Sequence, residues 1–202
     1  MDFAELLKRR RMVRRYTGDP VPRDVLERIV ATVRRAPSGG FSQGHRLLVV
    51  TDDETKRRIR ALFSDYGYTD EWLATAGAFI VVGTREQDYH DRYTEPDKLA
   101  VTGGVEIEWP APYWFVDAGA AMMLLLLAAI DEGLASGVFG VTVEKMAAFK
   151  ELLAIPDEVH VVAVVTVGRP ADEDGLSAQS SRMSQRRRQL DELVRWERWD
   201  AQ

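Results

Sequence analysis

The chain has 202 residues, 46% hydrophobic and 29% charged, which is enough apolar side chain for one domain's core and too much for extended disorder. It has no cysteine, which excludes disulfide scaffolds, thiolate nucleophiles, Cys-ligated zinc and iron–sulfur clusters. A net charge of −5 argues against general nucleic-acid binding, and His45, His90 and His160 are too scattered to suggest a metal site or a Ser-His-Asp triad.

The first residues, MDFAELLKRRR, lack the basic-then-apolar layout of a signal peptide. Asp2 is placed to cap a first helix, Glu5 completes a capping-box pattern, and Phe3, Leu6 and Leu7 share one face. Val25, Leu26, Ile29, Val30 and Val33 recur at helical spacing until Ala36-Pro37-Ser38-Gly39-Gly40 stops the second helix. Arg46 to Thr51 reads as a buried strand, Asp53 opens a helix carrying Ile59, Leu62 and Phe63, and Ala78 to Thr84 is a second strand.

From Arg85 to Pro112 the pattern dissolves into charges, glycines and aromatics, which predicts an irregular lid, insertion or partner contact. The central helix, from about Val116 to Glu132, is apolar round most of its circumference and must be covered on several sides. Its most apolar stretch, Phe115 to Ile130, is interrupted by Asp117 and falls short of a membrane span, so a core helix and a soluble, cytoplasmic protein are expected. A strand and helix pair precedes the buried strand His160 to Val167, a polar arm runs from 171 to 188, and Gln189 to Trp199 reads as a short amphipathic ending. Early adjacent helices and loose alternation fit an α+β sandwich of 1–202 better than a regular Rossmann series.

Three segments could carry chemistry. Lys8 to Arg15 places six positive charges in eight positions, suited to a helix C-terminus or, through planar guanidinium forks, to a phosphate. Arg35 to Gln43 ends a helix, yet its glycines permit close backbone approach to a flat ligand, and Ser38, Ser42 and Gln43 supply hydrogen-bonding groups. Arg186-Arg187-Arg188 is a second basic cluster, which read in isolation is a solvated terminal run.

Their order and spacing change what each means. An arginine cluster after the first helix, then Tyr16 and Pro20-Val21-Pro22, then Ala36-Pro37-Ser38 with Gln43 before a strand, resembles the FMN-binding nitroreductase family. The later course agrees: an apolar helix ending in Glu132-Gly133-Leu134, Ile155-Pro156 before the last core strand, Val167-Gly168-Arg169-Pro170 at its end, and a C-terminal basic cluster.

The resemblance implies an α+β fold with a central mixed sheet flanked by helices, and an interlocked homodimer with an FMN in each of two clefts shared by both chains. It implies flavin-centred chemistry with no catalytic side chain, with NADPH or NADH as reductant and a small nitroaromatic, quinone or enone as acceptor. Arg10, Arg11 and Arg14 would grip the FMN phosphate and ribityl chain, and Arg35, Pro37, Ser38 and Gly39 would come from the partner, with Gln43 below them. Val138, Phe139 and Gly140 would pass the pyrimidine side, and Arg187, with Arg186 beside it, would reach the phosphate. Met12 stands where the family usually has serine, Phe41 where asparagine is common, and Gly44-His45 where Pro-Trp is usual. A flavin-fragmenting branch shares the Pro-Ser-x-Gly-Phe-x-Gln loop but carries an aspartate at the position of Met12 and a serine near Gly140. The same pattern also suits a deazaflavin-dependent reductase or a non-enzymatic flavin-binding module.

Overall fold

A computed structural model describes residues 1–65, 69–171 and 186–199. The chain divides into two units, 1–171 and 172–202, each taken by itself. In chain order the first unit contains α1 (Phe3–Arg9), α2 (Arg23–Ala31), β1 (His45–Val50), α3 (Asp53–Leu62), α4 (Thr69–Thr75) and β2 (Ala78–Thr84). It continues with α5 (Gln87–Tyr93), α6 (Pro96–Thr102), α7 (Tyr113–Asp131), β3 (Ala135–Phe139), α8 (Val143–Leu152) and β4 (His160–Gly168). In the second unit only α9 (Leu190–Leu193) is helical among the described residues, so the expected amphipathic ending to Trp199 narrows to one turn.

The sheet has the order β1-β2-β4-β3. Each described pairing is antiparallel, so the expected mixed sheet is corrected. The helical connections between strands are long enough to return the chain in either direction, and nothing in the periodicity of a strand records its neighbour's polarity. β2 is buried at all seven positions because both of its faces are covered. Ile80 and Val82 join Val165, Val167, Ala118, Ala121, Leu125 and Ala129 in the main core between the sheet and α7. On the other face Phe139 packs edge-on against Phe63, Trp72 and Phe79, with ring centres 5.3, 5.8 and 6.4 Å away.

Helix α7 begins at Tyr113, three residues before the sequence pattern, and its 19 residues are long and apolar enough to cross a membrane by length and composition alone. Here it is a core helix, with Ala118, Ala121, Leu125, Leu126 and Ala129 buried. Phe115, Val116 and Met123 stay exposed. Asp2 does cap α1 by accepting from the Glu5 amide at 2.9 Å, but the Glu5 carboxylate accepts from Arg9 Nε at 2.8 Å, an ion pair along the helix. No residue of α1 is buried, and Phe3 and Leu7 point their apolar surface outward.

The stretch read as an irregular lid holds α5 and α6 before an irregular run over 103–112. These are short surface helices without an apolar stripe. They are held instead by local polar pairs such as Gln87 to Asp91 and by Pro96 at the start of α6, features that hydrophobic periodicity does not register.

Candidate functional site

Residues 10–17 form a strap along the outer edge of β3. The Val13 amide donates to the Ser136 carbonyl at 2.9 Å, Thr17 N donates to Arg169 O at 3.0 Å, and Ala171 N returns a bond to Arg15 O at 3.2 Å. Tyr16 anchors the strap from beneath. Its hydroxyl donates to Val13 O at 2.9 Å and is hydrogen-bonded to Thr166 Oγ1 at 2.8 Å, and that oxygen also accepts from Trp72 Nε1 at 3.0 Å. Burial pushes the Tyr16 phenol up to about 12, so it stays a neutral donor.

This anchoring presents the arginines. Arg10 meets no carboxylate among the described residues, and Arg14 lies exposed with its guanidinium 5.0 Å from the centre of the Trp72 ring. Arg11 is partly occupied, since Nη1 donates to the carbonyls of Lys8 at 2.5 Å and Arg10 at 3.0 Å and so caps the end of α1. Met12 is 42% exposed and offers no hydroxyl.

Beside the strap, the end of β3 delivers Val138 and Phe139, with Gly140 following directly. Phe139's ring packs edge-on against Phe63 and Trp72 and is half-buried, so its backbone is the part most open to a ligand. Gly140 is exposed, and a Cβ built on it would have open space, as suits a surface facing a ligand.

The second cluster is the loop 36–44, just before β1. Gly40, Phe41 and Gln43 take φ values of 58°, 64° and 54°. For Phe41 and Gln43 this left-handed backbone is a strained state that surrounding contacts must hold. Ser38 Oγ accepts from the Gln43 amide at 3.0 Å, and Ser42 Oγ donates to Gly39 O at 2.5 Å. From outside, Asp117 Oδ2 accepts both the Gly39 amide at 2.8 Å and the Tyr89 hydroxyl at 2.7 Å, and Arg92 Nε donates to Gly40 O at 2.9 Å. Burial, followed by the Asp117 carboxylate, pushes the Tyr89 phenol above its ordinary value. Gly44 is required by contact, because a Cβ there would come 2.5 Å from Tyr89 Cε2 and 2.9 Å from the Arg85 carbonyl. Desolvation lowers His45's pKa, leaving a neutral imidazole at the loop's exit.

Sequence reasoning thus missed the loop's supports, Asp117, Tyr89 and Arg92. A lone carboxylate in the apolar run from Phe115 to Ile130 was the available signal, since such a group is kept only where it is hydrogen-bonded.

Arg35 and Pro37 lie exposed at the loop's start, Arg35 without a carboxylate partner among the described residues. The strap and the loop occur at opposite edges of the sheet, one beside β3 and the other leading into β1, and β1 and β3 are themselves three strand spacings or about 14 Å apart. The structure therefore collects the sequence-predicted residues into two groups. Arg186 and Arg187 are exposed residues of the second unit. A cavity of about 420 Å³ lies on the sheet's other face, beside Leu48, Val81 and Val161, and none of the predicted site residues lines it.

The nitroreductase family model matches residues 7–67 and 64–169, most of the chain. A protein of Archaeoglobus fulgidus bearing the name of an NADH dehydrogenase/NAD(P)H nitroreductase is 31% identical over 85% of this chain and 87% of its own. The FMN reductase [NAD(P)H] of Bacillus subtilis is 29% identical over 87% of this chain and 67% of its own. Among solved structures, a protein of Exiguobacterium sibiricum described as a nitroreductase in complex with FMN aligns with a TM-score of 0.75 at 19% identity, covering 97% of each chain. The fold is shared with solved nitroreductase structures, and this chain belongs to the nitroreductase family.

Proposed function

We propose that the protein is an FMN-dependent oxidoreductase, assembled as a homodimer, that passes electrons from NADPH or NADH to a small electrophilic acceptor of nitroaromatic, quinone or enone type. The carrying observation is the separation of strap and loop to opposite sheet edges, each preorganised and each incomplete alone. A twofold-related copy can set the loop of one chain against the strap of the other, and the uncovered apolar surface supports such a pairing. Phe3 and Leu7 on α1 and Phe115, Val116 and Met123 on α7 are 40–66% exposed in the single chain.

The residues present suit FMN. The guanidinium groups of Arg10 and Arg14, neither paired with a carboxylate among the described residues, match a phosphate dianion, and Gly140 leaves room for a ring edge. When bound, FMN supplies the two-electron chemistry that links nicotinamide to acceptor. Arg10, Arg11 and Arg14 would hold the phosphate and ribityl chain, and the backbone of Val138, Phe139 and Gly140 would pass the pyrimidine side. Arg35, Pro37, Ser38, Gly39 and Gln43 of the other copy meet the ring. For Arg186 and Arg187 the family resemblance is the whole support. Each turnover removes a hydride from the nicotinamide, and a quinone acceptor takes two electrons and two protons, one of them from solvent. Reductant and acceptor use the same opening in turn, giving ping-pong kinetics.

The purified protein is expected to be yellow and to release FMN on denaturation. Anaerobic NADPH or NADH should bleach it, and a nitroaromatic or quinone should restore the colour with FMN recovered intact. Arg10→Ala and Arg35→Ala subunits, each FMN-poor alone, should regain one of the two sites in every mixed dimer, about a quarter of all sites after random refolding together. Bleaching by neither nicotinamide, or a monomer that keeps FMN, defeats the proposal; stoichiometric conversion of FMN to dimethylbenzimidazole would show the flavin-fragmenting chemistry instead.

A further inference from the structure

Beside the strained loop, α6 contributes a cation that no ion pair consumes. Lys98 Nζ stands 4.9 Å from the centre of the Tyr93 ring and has no carboxylate partner among the described residues. The neighbouring cation differs, because Arg92 is gripped by both oxygens of Asp97 at 2.7 Å and by Glu95 at 3.0 Å. Lys98 and Tyr93 also press on the loop itself. A Cβ built on Gly40 would come 2.7 Å from Tyr93 Cε2 and 3.3 Å from Lys98 Cε.

The next residue is Phe41, 71% exposed on left-handed backbone. An aromatic ring left exposed in the single chain by a strained main chain costs stability twice, once in φ and once in apolar exposure, so it is kept for a contact that the single chain does not itself make, and on a flavin-facing loop a flat ligand can supply it. Trp109 backs Tyr93 at 4.6 Å between ring centres and fixes its orientation.

We propose that Phe41, Tyr93 and Lys98 form an acceptor-recognition surface that selects planar aromatic substrates carrying an anionic group, a carboxylate on the ring above all. The rings supply a flat apolar contact, and the ammonium, partly desolvated by the tyrosine face, gains a stronger partner when a carboxylate arrives. Phe41 thereby serves acceptor choice at a position where the family commonly has asparagine. This rests on the reading of loop 36–44 as the flavin-facing loop.

The test compares 4-nitrobenzoate with 4-nitrobenzamide, a pair alike in shape and different in charge, by calorimetric binding to the flavin-loaded dimer and by kcat/KM. Wild type should favour the anion about fivefold to tenfold, a partly exposed charge contact. Lys98→Gln should bring the two probes within about twofold, Lys98→Arg should keep the preference, and Lys98→Glu should reverse it. Equal binding of both probes to wild type, or an unchanged ratio in Lys98→Gln, overturns the inference. So does a loss in Lys98→Gln confined to the KM for NADPH and absent for NADH, which would assign Lys98 to the reductant's phosphate. Bleaching of wild type by NADPH or NADH tests the underlying function separately, so a flavin enzyme without charge selectivity refutes only this inference.

Discussion

The tightest approach around the strap is at Gly137, and Gly137→Ala turns it into a measurement. A Cβ there would lie 2.4 Å from the Val13 carbonyl oxygen, with Trp72 Cζ2 at 3.0 Å and Thr166 Oγ1 at 3.1 Å closing the other directions. Ordinary contact begins near 3.4 Å, so the strap must retreat by about 1 Å. That shift lengthens the 2.9 Å bond from Val13 N to Ser136 O, to about 3.9 Å and beyond hydrogen bonding at the most, when it runs along the bond. Overpacking costs about 1 to 3 kcal/mol and the lost bond about 1 more, giving about 2 to 4 kcal/mol in total. Urea unfolding at fixed protein concentration, followed by tryptophan fluorescence, should show a midpoint lowered by about 1 to 2 M for a slope near 2 kcal/mol/M. Because the strap carries Arg10, Arg11 and Arg14, FMN affinity should fall as well. Gly140→Ala is the control, since its Cβ meets nothing within 4 Å, and its stability should stay within about 0.5 kcal/mol of wild type. A Gly137→Ala midpoint within about 0.2 M of wild type would refute the docking of the strap on β3.

Arg10→Ala should weaken FMN binding by one to two orders of magnitude, the worth of a charge-assisted contact of about 1.5 to 3 kcal/mol, read by fluorescence titration of the apoprotein. Asp117→Ala strands the Gly39 amide and the Tyr89 hydroxyl and should cost about 2 to 3 kcal/mol, with faster hydrogen exchange at Gly39, while Asp117→Asn recovers part of the loss. The His90 ring lies 2.6 Å from Glu106 and 3.5 Å from Glu86, and those carboxylates raise its pKa above the ordinary 6.5. The stabilisation is therefore fully present below about 6.5 and is lost as pH rises through the higher folded value, so His90→Gln should flatten the melting temperature over that window.

Local chemistry alone determined much of this protein. Val25, Leu26, Ile29 and Val33 mark the α2 region, Ala78 to Thr84 matches β2 residue for residue, and Asp2 caps α1, because helical spacing, β-branching and capping act over a few neighbouring residues. The arginines of the strap and the Pro37-Ser38-Gly39 turn were legible as candidates for the same reason. The tertiary structure alone decided that these candidates form two groups at opposite edges of an antiparallel sheet, because strand order and direction depend on where long connections return. It alone packed Phe139 against Phe63 and left Phe41 outside, and it alone brought Asp117 and Tyr89, 28 residues apart in the chain, to one oxygen beneath the loop. Helical periodicity can show that Asp117 is out of place in an apolar run, but only packing supplies the two donors that make a half-buried carboxylate tolerable there.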